Sequence, residues 1–307
     1  MKISINYRNT GFDKVSFKGN LLSLEKLCRK GLITDVNELN GGFLNKVFRI
    51  EFEKGSAVLK VSPLWSNNGL LRESWCINQI LNRTSIRVPR VLAYASKENR
   101  IFPGHELLII EFIPGRLLEQ SDFNKLSVNE KISMFYHQIH SIPMEGFGWL
   151  TNEFIGMHST WTTFLKNIDN IELNLRKHLI SPEEVKWLLK ELVNICTSEF
   201  QPCLLHGDFK WTNFIVNNSD IIPIDFQNCF AGHPLYDIGI GLFFHPQISP
   251  YLSRYINAEE DFRITVLYGM RHAISVMGHR ISVNDREGIQ EAKERYGELK
   301  RIYSKIV

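Results

Sequence analysis

The stretch LLHGDFKWTNFIV, residues 204–216, contains the polar residues that decide the fold of this chain. It places Asp208 two residues after His206, and Asn213 five residues after Asp208, between two short apolar segments. Asp225 follows twelve residues after Asn213, at the end of another short apolar segment. A buried turn without a chemical role is the alternative interpretation, but the added spacing of Asp225 argues against it.

These residue types suit the transfer of a phosphoryl group. The transferred group carries concentrated negative charge, and the Mg²⁺ that bridges the phosphates takes oxygen ligands. We therefore predict that Asn213 and Asp225 are magnesium ligands. We predict that Asp208 orients an acceptor hydroxyl and takes its proton. Lys210, two residues later, is predicted to help neutralise the transferring phosphate.

The motif formed by His206, Gly207 and Asp208 resembles that of the aminoglycoside phosphotransferase and choline kinase family, which shares the protein-kinase-like fold. The resemblance covers residues 35–245. It implies an α+β, bilobal chain with ATP or GTP as co-substrate. Its small β-rich N-lobe would span residues 1–114, as a nucleotide-covering sheet with one helix. Its larger helical C-lobe would span residues 115–307, with the catalytic loop and the acceptor site.

The family pattern also implies residues that bind the nucleotide. Gly41, Gly42 and Asn45 precede a predicted hairpin, where backbone N–H groups of the family's covering loop approach phosphates. An ordinary hairpin turn is the alternative for the two glycines. Lys60 ends AVLK, much like V-A-I-K of protein kinases, and is implied to reach the α- and β-phosphates. Glu73 on the following helix is implied to pair with Lys60.

The same resemblance extends to the linker and to supporting residues. Backbone groups of Glu111 and Ile113 are implied to hydrogen-bond the adenine edge, because EFIPG at 111–115 matches the family's linker between lobes. Asp237 is implied to hold the catalytic loop, with a helix N-cap as its alternative role. Gln227 departs from the family, in which an acidic residue is common at that position.

Hydrophobic periodicity predicts secondary structure along the chain. Alternation favours strands in the first half, and apolar residues three and four apart favour helices beyond Pro114-Gly115. The predicted strands are 46–53 and 56–62, which form a hairpin, then 88–95, 106–113, 203–205, 214–216 and 221–224. The predicted helices are 70–81, 127–140, 161–178, 182–197, 235–244, 259–278 and 285–305.

Composition excludes several classes of protein. The 307 residues carry 36 basic and 33 acidic side chains, a net charge of +3 that argues against a nucleic-acid partner. Five cysteines without a CxxC pattern indicate reduced thiols. No apolar run approaches the ~20 residues that span a bilayer, and residues 1–10 lack the apolar core of a signal peptide. We therefore predict a cytoplasmic protein without a membrane partner.

The combined prediction is a kinase that moves the γ-phosphate of ATP or GTP to a hydroxyl of a small molecule. The acceptor would be an aminoglycoside, an amino sugar, an amino alcohol or a related metabolite. A protein kinase is one alternative, disfavoured by Gly207 and by the missing glycine at position 227. A catalytically weak nucleotide-binding module is another, disfavoured by the intact Asp208 and Asp225.

The acceptor residues are less clearly marked in the sequence. Arg271, His272 and Arg280 are candidates to hydrogen-bond sugar hydroxyls or an anionic group, with a basic surface helix as the alternative. A cationic acceptor calls for carboxylates or an aromatic cage. The acidic run at 259–261 is better explained as the first turn of a helix, where acids suit the helix dipole.

Overall fold

The computed structural model describes residues 23–26, 28–39, 45–195, 200–245, 256 and 258–306. The chain forms two compact units. The first comprises the residues up to Arg116 together with Ile215–Asn228, and the second comprises Leu117–Phe214 together with the residues from Cys229 onward. Asp225, which follows the catalytic loop in sequence, therefore belongs to the N-terminal unit.

An antiparallel sheet forms the centre of the first unit. Within the described residues it has five strands in the order β1-β2-β3-β5-β4. Helix α1 (Gly69–Arg83) lies between β3 and β4 in the chain. Apolar side chains that alternate along the strands, among them Ile50, Leu59 and Ile109, form a buried cluster. The strands are β1 (Ile33–Glu38), β2 (Lys46–Phe52), β3 (Gly55–Val61), β4 (Val91–Ala95) and β5 (Leu107–Glu111).

The predicted hairpin is confirmed and positions Lys60. Strands β2 and β3 pair over their whole length, from Lys46 opposite Val61 to Phe52 opposite Gly55, which leaves a two-residue turn. Gly55 begins β3 with φ of 96°, a conformation that glycine adopts at little cost. Strand β1, at the edge of the sheet, was not predicted. Every third residue of this strand is buried, namely Ile33 and Val36.

The hairpin that precedes Asp225 packs closely against Gly115, near the end of the first stretch of the first unit. The strands β10 (Phe214–Asn217) and β11 (Asp220–Pro223) are neighbours in a sheet. Gly115 has φ of 146°, and a Cβ there would lie 2.3 Å from the carbonyl oxygen of Val216. Only glycine fits this approach, so the predicted break at Pro114-Gly115 has a packing reason. The short strand β6 (Arg116–Leu117) follows.

The second unit is helical, as predicted. It also contains a small sheet in the order β8-β7-β12-β9, of which only β9 was predicted. Its remaining strands are β7 (Phe147–Leu150), β8 (Gly156–His158), β9 (Cys203–Leu205) and β12 (Phe230–Gly232). Its helices are α2 (Leu126–Ile139), α3 (Trp161–Lys166), α4 (Ile171–Arg176), α5 (Pro182–Ile195), α6 (Leu235–Phe244), α7 (Glu259–Ser282) and α8 (Arg286–Ile306), with 3-10 turns at Gln120–Asn124 and Trp211–Asn213. None of the described helices combines the length and hydrophobicity needed to cross a membrane.

The single helix predicted for residues 161–178 is wrong, because the chain breaks between α3 and α4. Asn170 adopts the left-handed conformation with φ of 57°, which an α-helix cannot continue through. Carbonyl oxygens at the C-terminus of α3 accept hydrogen bonds from the Arg271 guanidinium. Those distances are 2.8 Å to Phe164 and 3.0 Å to Leu165. Residues distant in sequence thus stabilise the break.

Two glycines let α6 and α7 approach closely. A Cβ at Gly239 would lie 2.8 Å from the carbonyl oxygen of Thr265, and a Cβ at Gly269 would lie 2.9 Å from that of Gly239. Such contacts require bare backbone on both helices. The close packing brings α6, which carries Asp237, against the middle of α7.

Candidate active site

The predicted catalytic loop, which comprises residues 206–213, is held by a buried carboxylate on α6. The Asp237 oxygens accept hydrogen bonds from the backbone N–H groups of His206 and Gly207, each at 2.8 Å. Nε2 of His140 lies 3.0 Å from the same carboxylate. Gly207 has φ of 77°, so the loop turns sharply there. The predicted holding role of Asp237 is confirmed, and His140 is packed as part of the same support.

Asp208 and Lys210 are brought together on this loop. The Lys210 ammonium lies 2.8 Å from Oδ2 of Asp208, and both side chains keep part of their surface exposed. Asn213 is buried, and its Nδ2 donates a hydrogen bond to the backbone carbonyl of Asp208 at 2.9 Å. That bond fixes the amide with its nitrogen toward the loop, which leaves the oxygen as the group suited to a metal.

The first unit brings Lys60, Glu73 and Asp225 together. The Lys60 ammonium contacts both oxygens of Glu73, at 2.7 and 2.9 Å, and Oδ1 of Asp225 at 2.9 Å. Burial works to lower the pKa of Lys60, but the carboxylates of Asp225 and Glu73 outweigh it and hold that pKa above its usual value. The pairing of Lys60 with Glu73 is as predicted, and the contact with Asp225 was not foreseen.

Asp225 has an unusual backbone. Its φ of 68° lies in the left-handed region, which costs a non-glycine residue about 1–3 kcal/mol. Its side chain is 27% exposed, whereas that of Glu73 is fully buried. Such strain persists only where the surrounding structure holds it, and it is frequent at ligand-binding positions. Of the two carboxylates on Lys60, Asp225 is therefore the one accessible to a ligand.

Gln227, the residue that departs from the family pattern, has a specific partner. Oε1 of Gln227 accepts a hydrogen bond from Nδ2 of Asn45 at 2.6 Å. Asn45 is a predicted nucleotide-binding residue directly before β2. The contact joins positions 182 residues apart, so no local signal could have revealed it. Gly41 and Gly42, predicted beside Asn45, lie outside the described residues.

Glu111 and Ile113, the residues predicted to bind the base edge, lie at the end of β5 and just beyond it. Glu111 ends β5, and its N–H donates to the carbonyl of Arg90 at 2.8 Å. Ile113 is buried and lies beyond the strand. Within the part of the chain that the structure describes, no backbone carbonyl accepts a hydrogen bond from the Ile113 N–H. A buried backbone donor of this kind normally finds a partner.

The predicted acceptor residues on α7 fall into different environments. Arg271 is 2% exposed and binds the end of α3, so both the acceptor role and the surface-helix alternative are wrong for this residue. Arg280 pairs with Asp285 at 2.7 Å. His272 contacts the rings of Phe243 and Phe244, at 5.3 and 5.8 Å between ring centroids. The acidic run at 259–261 begins α7, as predicted.

Three imidazoles of the second unit are kept neutral by burial. Burial, with smaller contributions from nearby charges, lowers the pKa of His233 and of His272 to about 4, and that of His245 to about 3. The sequence did not single out His233 or His245. A histidine is usually exposed enough to titrate near pH 6.5, so these three make folding sensitive to acid.

We expect stability to fall as the pH is lowered from about 6.5 toward 4. In this window the unfolded chain binds protons at these histidines and the folded chain does not. The free energy of unfolding therefore decreases with acidification, by up to about 1.4 kcal/mol per pH unit for each histidine. Urea unfolding at several pH values measures this slope. His245→Phe should give a shallower slope, and a flat stability profile above pH ~5 would contradict the prediction.

This chain is similar to known proteins over most of its length. The model of a family described as "Phosphotransferase enzyme family" matches residues 35–270. Acyl-CoA dehydrogenase family member 11 of Rattus norvegicus is 22% identical over 272 residues, which cover 82% of this chain and 33% of that protein. The Mus musculus protein of the same name gives the same identity and coverage. The chain thus spans about a third of the length of the curated relatives it matches.

Solved structures show the same fold. A thermostable mutant of aminoglycoside phosphotransferase APH(4)-Ia, in a ternary complex with AMP-PNP and hygromycin B, superposes with a TM-score of 0.72 at 19% identity. The match covers 91% of this chain and 98% of that one. A putative fructosamine-3-kinase from Haemophilus somnus 129PT has a TM-score of 0.69 at 16% identity, covering 92% and 99%. The predicted α+β, protein-kinase-like fold is confirmed.

Proposed function

Since this chain belongs to the phosphotransferase enzyme family, we propose that it is a phosphotransferase that transfers the γ-phosphate of ATP or GTP to a hydroxyl of a small molecule. The acceptor classes are those predicted from the sequence: an aminoglycoside, an amino sugar, an amino alcohol or a related metabolite. Hygromycin B and AMP-PNP, bound by a similar structure at 19% identity, support a small-molecule acceptor and a nucleotide donor.

The observation that carries this proposal is the Asp208–Lys210 pair on a loop held by Asp237. Asp208 is the general base: it accepts a hydrogen bond from the acceptor hydroxyl and takes its proton as the new O–P bond forms. Lys210, 2.8 Å from the Asp208 carboxylate, supplies positive charge beside the transferring phosphoryl group. The two hydrogen bonds from the loop to Asp237 keep this pair in place before the acceptor binds.

Lys60 is the proposed phosphate-binding cation of the first unit. Glu73 orients its ammonium, and the high pKa of Lys60 keeps the charge in place. The α- and β-phosphates of the nucleotide would add anionic partners to this ammonium. The Ile113 N–H and the Glu111 carbonyl would hydrogen-bond the base edge, and Gly41, Gly42 and Asn45 would cover the phosphates.

Magnesium is the proposed metal, with Asp225 and Asn213 as its protein ligands. The donor set fits, because a carboxylate and an amide oxygen are the hard ligands that Mg²⁺ takes alongside phosphates and water. Held by these two residues, the ion would supply positive charge that neutralises the phosphates. Asp225 would exchange its contact with Lys60 for the ion, and Asn213 would offer the oxygen opposite its bonded Nδ2.

The predicted cytoplasmic location stays part of the proposal. Among the described residues, Cys28, Cys76, Cys203 and Cys229 are free thiols. Reduced thiols are usual for proteins of the cytoplasm. No nucleic-acid or membrane partner is proposed.

A coupled nucleotide-consumption assay tests the function. ATP and GTP are supplied separately with Mg²⁺, together with aminoglycosides, amino sugars, choline, small alcohols or a generic protein substrate. We expect nucleotide consumption that depends on a small-molecule acceptor and yields a phosphorylated product by mass spectrometry. Phosphorylation of the protein substrate alone would replace the proposal with a protein kinase. Nucleotide binding without any acceptor-dependent turnover would favour the nucleotide-binding module.

A further inference from the structure

His245 and His272 form what we call the imidazole cluster, together with Trp211, Phe243 and Phe244. The ring centroids of Trp211 and His245 lie 4.0 Å apart. The ring centroid of Phe244 lies 6.3 Å from that of His245 and 5.8 Å from that of His272. Phe243 lies 5.3 Å from His272. Because Trp211 belongs to the catalytic loop, the cluster is continuous with that loop.

The cluster contains buried polar atoms without hydrogen bonds. His245 is 4% exposed, and neither its Nδ1 nor its Nε2 has a partner within the described structure. Nε2 of His272 is also buried and without a partner there. Buried polar side-chain atoms are hydrogen-bonded in the large majority of cases. Three exceptions in one cluster beside the catalytic loop therefore indicate a ligand or an ordered water.

The charges around the cluster indicate which ligand it suits. Burial keeps both imidazoles neutral, and a neutral imidazole presents one donor and one acceptor. A hydroxyl is also both donor and acceptor, so it matches either nitrogen. Charges of both signs act on His272, those of Asp208 and Asp237 opposing those of Arg271 and Lys210, so the surroundings of this imidazole select for neither a cation nor an anion. The aromatic rings offer apolar faces to the C–H groups of a ring compound.

We propose that the imidazole cluster is the subsite for the acceptor, and that it takes a neutral polyhydroxylated molecule whose hydroxyls hydrogen-bond to His245 and His272. This inference rests on the proposed function and narrows it to one acceptor class. The subsite lies beside the loop of the proposed base, because Trp211, three residues after Asp208, packs against His245. One hydroxyl bound by the imidazoles would leave another hydroxyl of the same molecule for Asp208.

Nitrogen-15 spectra of the histidine side chains test binding directly in the full chain. D-glucose, myo-inositol and glycerol serve as neutral probes, and choline serves as the cationic one. The resonances of His245 and His272 are assigned by their loss in His245→Phe and His272→Phe. We expect at least one neutral probe to shift both resonances and choline to leave them unchanged. If no neutral probe shifts the resonances, the unpaired nitrogens bind only an adventitious water and the subsite is overturned. A shift with choline alone would also overturn it.

Turnover then separates the subsite from the proposed function. With the acceptor that shifts the resonances, His272→Phe should raise the acceptor KM about tenfold and leave the nucleotide KM unchanged. His272→Gln, which keeps a donor and an acceptor, should recover part of the loss. His279→Phe, on the same helix, is the matched control and should change neither value.

An unchanged acceptor KM in His272→Phe would overturn the subsite. If a neutral probe shifts the histidine resonances but no acceptor is turned over, the proposed kinase activity is refuted and the binding subsite stands.

Discussion

Asp208→Asn is expected to lower kcat by about 10²- to 10⁴-fold, the range that a positioned general base contributes. Asparagine has almost the same shape as aspartate but cannot take the proton of the acceptor hydroxyl. The backbone carbonyl that binds Asn213 is unchanged, so the loop should keep its conformation. The measurement is steady-state turnover with the acceptor found in the panel, together with nucleotide affinity by calorimetry, which should stay near the wild-type value.

Asp220→Asn is the matched control for this variant. Asp220 is exposed, begins β11 and lies 3.9 Å from Arg87, a separation at which a surface ion pair contributes little. The same change of charge there should leave kcat unaffected. A kcat for Asp208→Asn close to that of Asp220→Asn would remove Asp208 from the role of base.

Asp225→Asn should abolish the dependence of nucleotide affinity on Mg²⁺, because a neutral amide binds a hard cation far less well than a carboxylate. We expect affinity in the presence of Mg²⁺ to fall by about 10²-fold or more, and turnover to fall with it. The fold should survive, since the Lys60 ammonium keeps both contacts with Glu73. Calorimetric titration of the nucleotide with Mg²⁺ and with a chelator measures the ratio of the two affinities.

Two control variants separate the effect of losing the metal ligand from the effect of losing an ion pair with Lys60. Asp220→Asn should keep the wild-type ratio of affinities. Glu73→Gln would instead disrupt the buried pair with Lys60, and breaking such a pair commonly costs about 3–5 kcal/mol of stability. It should therefore lower the melting temperature, whereas Asp225→Asn should lower it less. A wild-type ratio of affinities in Asp225→Asn would contradict the assignment of Asp225 as a metal ligand.

The sequence by itself determined the features that depend on neighbours in the chain. The alternation of apolar residues predicted the hairpin of β2 and β3, because successive side chains of a strand point to opposite faces. The helical period predicted α1, and α6 with the bounds observed. The spacing of Asp208, Asn213 and Asp225 indicated phosphoryl transfer, because a short loop and the following strand must present these oxygens at set positions.

Only the tertiary structure decided which distant groups meet. Nothing local marks the Asn45–Gln227 hydrogen bond or the contact between Lys60 and Asp225, which lie 182 and 165 residues apart. The sequence predicted that Arg271 either binds the acceptor or lies on a surface helix. The residue is instead buried against the end of α3, where its guanidinium donates hydrogen bonds to backbone carbonyls. His245 carries no motif, and only folding buries it against Trp211, where its nitrogens have no hydrogen-bond partner among the described residues. Burial and long-range pairing are properties of packing, and no pattern of neighbouring residues contains them.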